Sequence, residues 1–201
     1  MKRSETTALT YDITLLFSVL FLVGIGIVMV YSASSALALK KFSSDYYFLK
    51  RQALFSLMGM VALVACGHIP LSVYRSLAYP LLAIALVLLL LVPFSNMGIA
   101  AGGAKRWLSI MGFSFQPSEI ARLAMIVYLA FSMSKKQDNI KDFSIGFLPH
   151  LIVLSLFTGL ILLQPDFGSA VILGAITWIL LFVGGVRLRY LLSSVLLILP
   201  M

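Results

Sequence analysis

Long apolar runs separated by short polar segments make up most of the chain. A helix needs about 20 predominantly apolar residues to cross a bilayer, and most of these runs approach that length. The pattern therefore predicts six membrane spans and the start of a seventh, arranged as an all-α polytopic bundle that forms a single transmembrane domain over residues 1–201. The approximate bounds are 13–33, 53–67, 77–93, 117–133, 145–163, 167–186 and from 190 onwards.

Composition strengthens this interpretation and excludes several classes of protein. Hydrophobic residues make up 61% of the chain and charged residues 11%, against about 25% charged in globular domains. The net charge of +8 agrees with basic loops held at an anionic membrane face, and no soluble basic domain is present that would predict a nucleic-acid partner. The single cysteine, Cys66, predicts neither an internal disulfide nor a metal cluster.

The basic residues predict an orientation with the N-terminus in the cytoplasm, by a small margin of eight inner bases to six outer ones. The inner bases are Lys2, Arg3, Arg75, Lys135, Lys136, Lys141, Arg187 and Arg189, and the outer ones are Lys40, Lys41, Lys50, Arg51, Lys105 and Arg106. So many bases on the outer side indicate an anionic substrate presented from outside. The first run lacks a small-residue cleavage site, which predicts a retained anchor.

Three stretches carry polar groups that a lipid environment penalises: GGAKRWL from Gly102, FQPSEIAR from Phe115 and QPDFGSA from Gln164. Glu119 and Arg122 are three residues apart at a helix start and therefore share one face. Two interpretations stay open: the pair lines a polar cavity inside the bundle, or it forms a local ion pair near the interface. Gln116 and Ser118 are candidates to cap the same helix, and capping is the favoured role for Ser118.

Lys105, Arg106 and Asp166 each allow a structural and a functional interpretation. Arg106 offers paired donors that match a phosphate, and Lys105 adds a point charge. Both could equally serve as interfacial anchors beside Trp107. Asp166 follows a proline and precedes a helix, where an N-cap explains it fully.

Together with YSASS from Tyr31 and YYFLKRQ from Tyr46, these stretches resemble the SEDS family, the FtsW/RodA polytopic cell-wall polymerases. The resemblance runs from about Tyr11 to the end and favours the cell-division (FtsW) branch. It implies the N-terminal portion of a ten-span protein of the bacterial inner membrane. Such proteins polymerise lipid II, an undecaprenyl diphosphate-linked substrate, and work with a class B penicillin-binding protein. The family often has Lys where Arg122 stands, which alters donor geometry.

The resemblance also implies where the substrate binds. The candidate binding residues are Lys105, Arg106, Gln116, Glu119, Arg122 and Asp166. No catalytic residue is assigned, because the family's base is an Asp in the outer loop after the seventh span, and the 201 residues are expected to form no glycan alone. A divalent cation could assist, although no ligand set is visible. Two alternatives stay open: a transporter or flippase of lipid-linked precursors, and a non-catalytic division scaffold.

Overall fold

The computed structural model describes residues 12–42, 44–94, 98–101, 104–110 and 113–198. Lys2 and Arg3, which contribute to the predicted topology, and Gly102 and Gly103 of the first motif lie outside these residues. The chain divides into two compact units, Met1–Pro70 and Leu71–Met201. All the candidate binding residues belong to the second unit.

In the first unit, the part of the chain that the structure describes forms two helices, α1 (Ile13–Phe42) and α2 (Tyr47–Gly67), which pack against each other. The predicted bounds of the first two spans, 13–33 and 53–67, are therefore too short, because α1 continues to Phe42 and α2 begins at Tyr47. Residues 36–39 alternate Ala and Leu, the strongest helix formers, so α1 continues through them. The rings of Tyr31 and Tyr46 stack with 5.8 Å between centroids, which joins α1 to the residue before α2.

The described residues of the second unit form five helices and a small sheet. The helices are α3 (Leu71–Phe94), α4 (Pro117–Lys135), α5 (Leu148–Leu162), α6 (Phe167–Val183) and α7 (Leu188–Ile198), with a 3₁₀ turn at Gln137–Asn139 and a π-helical turn at Phe143–Phe147. The core lies against one face of α4, where buried residues recur at helical spacing. These residues are Ala121, Ala124, Met125, Tyr128 and Leu129.

A three-stranded antiparallel sheet lies between α3 and α4 in the sequence. Its strands are β1 (Gly98–Ala101), β2 (Ala104–Ile110) and β3 (Phe113–Phe115), in the order β1-β2-β3. The all-α prediction is therefore wrong for this segment, which lies between the predicted spans 77–93 and 117–133. At Gly98 an added Cβ would lie 2.8 Å from the carbonyl oxygen of Val92, so the absence of a side chain lets β1 approach the end of α3.

Four helical segments among the described residues are long and apolar enough to cross a membrane: Ile13–Lys40, Tyr47–Gly67, Leu71–Phe94 and Phe143–Leu162. Helix α6 is also apolar but shorter. The chain is thus a multi-pass helical membrane protein, as predicted. The finer count of six spans and part of a seventh stays a prediction.

Candidate functional site

Strand β2 separates the two neighbouring bases of the first motif. Successive side chains of a strand point to opposite faces, so Arg106 shares a face with Leu108, which is fully buried. Lys105 and Trp107 belong to the other, exposed face. The alternation therefore lets one of the two bases, but not both, reach the interior of the second unit.

Arg106 reaches the turn between α5 and α6. Its Nη2 donates a hydrogen bond to the carbonyl oxygen of Pro165 at 2.7 Å, and its Nη1 lies 3.7 Å from Oδ1 of Asp166. The Arg106 side chain keeps 36% of its surface exposed. Its Nε is buried and has no hydrogen-bond partner within the described part of the chain.

Asp166 is a buried carboxylate with donors on several sides. It occupies the N-cap of α6 and accepts a bond from the backbone N–H of Ser169 at 3.3 Å, which confirms the predicted cap. Its other oxygen accepts from Nε2 of Gln116 at 2.6 Å. With Arg106 as its counter-ion, the carboxylate joins β2, the start of α4 and the start of α6.

The first turns of α4 and α6 touch at two serines. Ser118 Oγ donates to Ser169 Oγ at 3.3 Å, and Gln116 Nε2 lies 3.4 Å from the same oxygen. The capping role favoured for Ser118 is therefore wrong, because its hydroxyl bonds across to α6. Gln116 holds the N-cap position of α4 without a side-chain cap bond, since its amide is directed to Asp166.

These five residues, Arg106, Gln116, Ser118, Asp166 and Ser169, are called the Arg106 cluster below. Two helix N-termini meet in it, and each carries partial positive charge. Together with the guanidinium they favour an anion, and Asp166 supplies one negative charge internally. A second anion can still reach Arg106, since part of its guanidinium is exposed.

Glu119 and Arg122 form a separate pair one turn into α4. Arg122 Nη1 donates to Glu119 Oε2 at 2.9 Å, as the three-residue spacing predicts. The Glu119 side chain is 56% exposed and that of Arg122 is 24% exposed. Arg122 Nε is buried and finds no hydrogen-bond partner among the residues that the structure describes.

The structure thus brings together three of the six candidate binding residues: Arg106, Gln116 and Asp166. Sequence reasoning did not single out Ser169 or Gln164, although both lie in the third motif. Ser169 stands three residues after the capping Asp166, the position whose N–H a cap usually binds, and this spacing was the available signal. Gln164 donates to the carbonyl oxygen of Leu89 at 3.0 Å and is buried.

The chemistry of the Arg106 cluster is that of anion recognition. Asp166 already accepts two hydrogen bonds and faces Arg106, so its carboxylate is suited to holding donors in place. Across the described residues, no group of three or more His, Cys, Asp or Glu side chains is placed to hold a metal ion.

Comparison with known proteins places this chain in a family. A family model described as "Cell cycle protein", covering FtsW, RodA and SpoVE, matches residues 13–201. The probable peptidoglycan glycosyltransferase FtsW of Trichlorobacter lovleyi is 46% identical over 190 residues, which cover 94% of this chain and 50% of that protein. Stage V sporulation protein E of Bacillus subtilis is 38% identical over 180 residues, or 89% of this chain and 49% of that protein.

Solved structures show the same fold. A crystal structure of a mutant of the Thermus thermophilus rod shape determining protein RodA matches with a TM-score of 0.67 and 28% identity, and the match covers 92% of this chain and 57% of that one. A chain of a peptidoglycan synthase complex matches with a TM-score of 0.64 and 29% identity, over 85% of this chain and 50% of that one. The chain spans about half the length of the curated relatives it matches. By its match over residues 13–201, the chain belongs to the FtsW/RodA/SpoVE family of cell cycle proteins.

Proposed function

We propose that this protein takes part in the polymerisation of peptidoglycan from lipid II during bacterial cell division, as an FtsW-type glycosyltransferase of the inner membrane. Relatives with 41–46% identity over 94% of the chain carry the name of probable peptidoglycan glycosyltransferase FtsW, which supports the reaction class. The matched peptidoglycan synthase complex coordinates polymerisation with crosslinking, and this supports a crosslinking partner, in our proposal a class B penicillin-binding protein.

The observation that carries this proposal is the convergence of three distant motifs on the Arg106 cluster. Lipid II presents a diphosphate between its sugar and its polyprenyl chain. A partly exposed guanidinium, fixed by Pro165 and Asp166, offers the paired donors that a phosphate accepts. The cluster is therefore proposed as the part of the site that holds this diphosphate.

In glycosyl transfer, the 4-hydroxyl of an acceptor sugar attacks the anomeric carbon of a donor sugar. A carboxylate base takes up the hydroxyl proton, and the polyprenyl diphosphate leaves. A cation near the diphosphate stabilises the charge that develops on the leaving group. Arg106 is proposed for this role. Gln116 and Asp166 orient it, and Lys105 adds positive charge from the opposite face of β2. Glu119 and Arg122 are proposed to line the same substrate cavity.

The proposed topology follows from the same function. Six spans and part of a seventh, in one transmembrane domain with a cytoplasmic N-terminus, would bring β2 and the α5–α6 turn to the outer face of the membrane, where the sugar is polymerised. Cysteine labelling at Ser109 in a background without Cys66 tests this orientation. Labelling that requires a permeabilised inner membrane would contradict it.

Polymerisation assays test the function directly. The protein is expressed from its own gene and purified with its class B penicillin-binding protein, and glycan products from lipid II are resolved on a gel. We expect Arg106→Ala to lower the rate at least about tenfold, equivalent to about 1.4 kcal/mol, because the diphosphate loses its paired donors. Arg106→Lys should recover part of the rate, since it restores charge without the fork geometry.

Lys105→Ala is the matched control, as it removes a neighbouring base from the other face of β2 and should have the smaller effect. Wild-type polymerisation by Arg106→Ala, at equal membrane levels, would contradict the diphosphate role. If the wild-type protein moves lipid II across the bilayer and forms no glycan, the result instead favours the transporter alternative.

A further inference from the structure

Three consecutive residues of the α5–α6 turn each bond to a different element of the second unit. The Gln164 side chain donates to α3, the Pro165 carbonyl accepts from Arg106 of β2, and the Asp166 carboxylate accepts from Gln116. The last two contacts belong to the Arg106 cluster. The first lies outside it, and its partner is a backbone carbonyl in the interior of a helix.

That carbonyl lacks its usual donor because of a proline. In an α-helix the carbonyl of one residue accepts from the N–H four residues later. For Leu89 that residue is Pro93, which lies inside α3 and has no N–H. Leu89 is fully buried, so water does not replace the missing donor, and a buried unpaired carbonyl is costly. Nε2 of Gln164, 3.0 Å away, supplies the bond instead.

The other proline inside α3 makes a useful contrast. Pro80 frees the carbonyl of Ser76 in the same way, but Ser76 is an exposed residue close to the start of the helix. Its surroundings can satisfy that carbonyl without a side chain from another element. At Pro93 the helix instead depends on a residue of the α5–α6 turn.

We propose that Gln164 is a positioning residue for Arg106. It ties the α5–α6 turn to α3 through the carbonyl that Pro93 leaves free, and the turn in turn holds the guanidinium through the Pro165 carbonyl. This inference rests on the proposed function, in which Arg106 binds the diphosphate of the lipid-linked substrate.

The contacts around Gln164 form a closed path. Helix α3 meets β1 where Gly98 approaches the carbonyl of Val92, β1 pairs with β2, and β2 carries Arg106 to Pro165. Gln164 returns from the turn to α3. Without that last link, the Pro165 carbonyl can shift relative to β2. The guanidinium then loses its fixed acceptor while every residue of the Arg106 cluster is still present.

The hydrogen bond itself is tested by stability. Gln164→Met keeps the length and most of the volume of the side chain but removes the amide donor. We expect the purified protein to unfold at a lower temperature, because the Leu89 carbonyl is left unpaired. Adding Pro93→Ala restores an N–H to that carbonyl and should recover the unfolding temperature. Pro80→Ala, added to Gln164→Met, is the matched control. If it recovers the unfolding temperature as fully as Pro93→Ala does, the recovery does not come from a restored donor to the Leu89 carbonyl.

The positioning role is tested by lipid II polymerisation in the protein expressed from its own gene with its penicillin-binding partner. We expect Gln164→Met to lower kcat/KM about tenfold. The Gln164→Met, Pro93→Ala double variant should recover stability but not kcat/KM, since the carbonyl is satisfied and the turn is still untethered. If the double variant recovers both the unfolding temperature and kcat/KM, Gln164 has only a structural role and the proposal is overturned.

Arg106→Ala separates this inference from the proposed function. If Gln164 acts through Arg106, Gln164→Met should cause no further loss of kcat/KM in the Arg106→Ala background. An equal loss in both backgrounds would overturn the positioning role and leave the diphosphate role intact. A wild-type rate for Arg106→Ala alone would overturn the diphosphate role, and the positioning role with it.

Discussion

Two arginine–carboxylate pairs in the second unit differ in almost every physical respect. Arg106 and Asp166 come from β2 and the N-cap of α6, and the carboxylate is only 7% exposed. Glu119 and Arg122 lie three residues apart on α4, and there the carboxylate is 56% exposed. The first pair has the longer distance, 3.7 Å against 2.9 Å, and yet it joins more of the fold.

The difference shows that the distance between charges is a poor guide to what an ion pair does. Asp166 is held by Gln116 and by the N–H of Ser169 as well as facing Arg106, so its loss leaves several donors unpaired. The Glu119 side chain is mostly exposed, and ion pairs between exposed side chains contribute little to stability. The buried pair therefore joins β2 to the start of α6, whereas the exposed pair links two residues of one helix.

The largest effect is expected for Asp166→Ala. The variant removes the cap of α6 and leaves the amide of Gln116 and the guanidinium of Arg106 without their carboxylate. Together these losses should cost about 2–4 kcal/mol in the free energy of unfolding. Thermal or denaturant unfolding of the purified protein in detergent measures the loss.

Asp166→Asn is its control, because asparagine is also a good N-cap and keeps a hydrogen-bond acceptor. It should cost about half as much, since the cap is kept, while the charge opposite Arg106 and one of the two acceptor oxygens are lost. If Asp166→Ala stays within about 0.5 kcal/mol of the wild-type protein, the value of an ordinary surface substitution, the buried carboxylate is not the structural centre of the cluster.

An intermediate effect is expected for Gln116→Met. The amide donates to a charged oxygen at 2.6 Å, and hydrogen bonds to charged groups contribute about 1.5–3 kcal/mol. Gln116 is only half-buried, so water can replace part of the bond, and about 1–2 kcal/mol is expected. Ser118→Ala, which breaks the weaker contact between α4 and α6, should cost less. The reverse order would mean that the two serines, rather than the amide, hold the helix starts together.

The sequence predicts the helices of this unit well because their apolar runs leave few other structures in a membrane. It also singles out Arg106 and Asp166, each through its own motif. Their contact could not be predicted, because it depends on β2 forming at all and on alternation directing Arg106 rather than Lys105 inward. No strand was predicted for the glycine-rich segment around β2, and the hydrogen bond from Gln164 to the Leu89 carbonyl is seen only in the structure.

The smallest effect is expected at Glu119 and Arg122, and it should be asymmetric. Arg122 is mostly buried, so Glu119→Gln leaves a partly desolvated cation without its partner, whereas an unpaired Glu119 would be solvated. We expect Glu119→Gln to lower the free energy of unfolding by about 0.5–1 kcal/mol. The Glu119→Gln, Arg122→Met double variant should lose less, because it removes the stranded charge and keeps an apolar side chain against α4.

Unfolding of the two single variants and the double variant, in one double-mutant cycle, measures the coupling. Losses that simply add would mean that the two side chains do not interact. A double variant that is more stable than either single variant would instead support the prediction that the pair lies inside a polar cavity, since only there does one unpaired charge cost more than the absence of both.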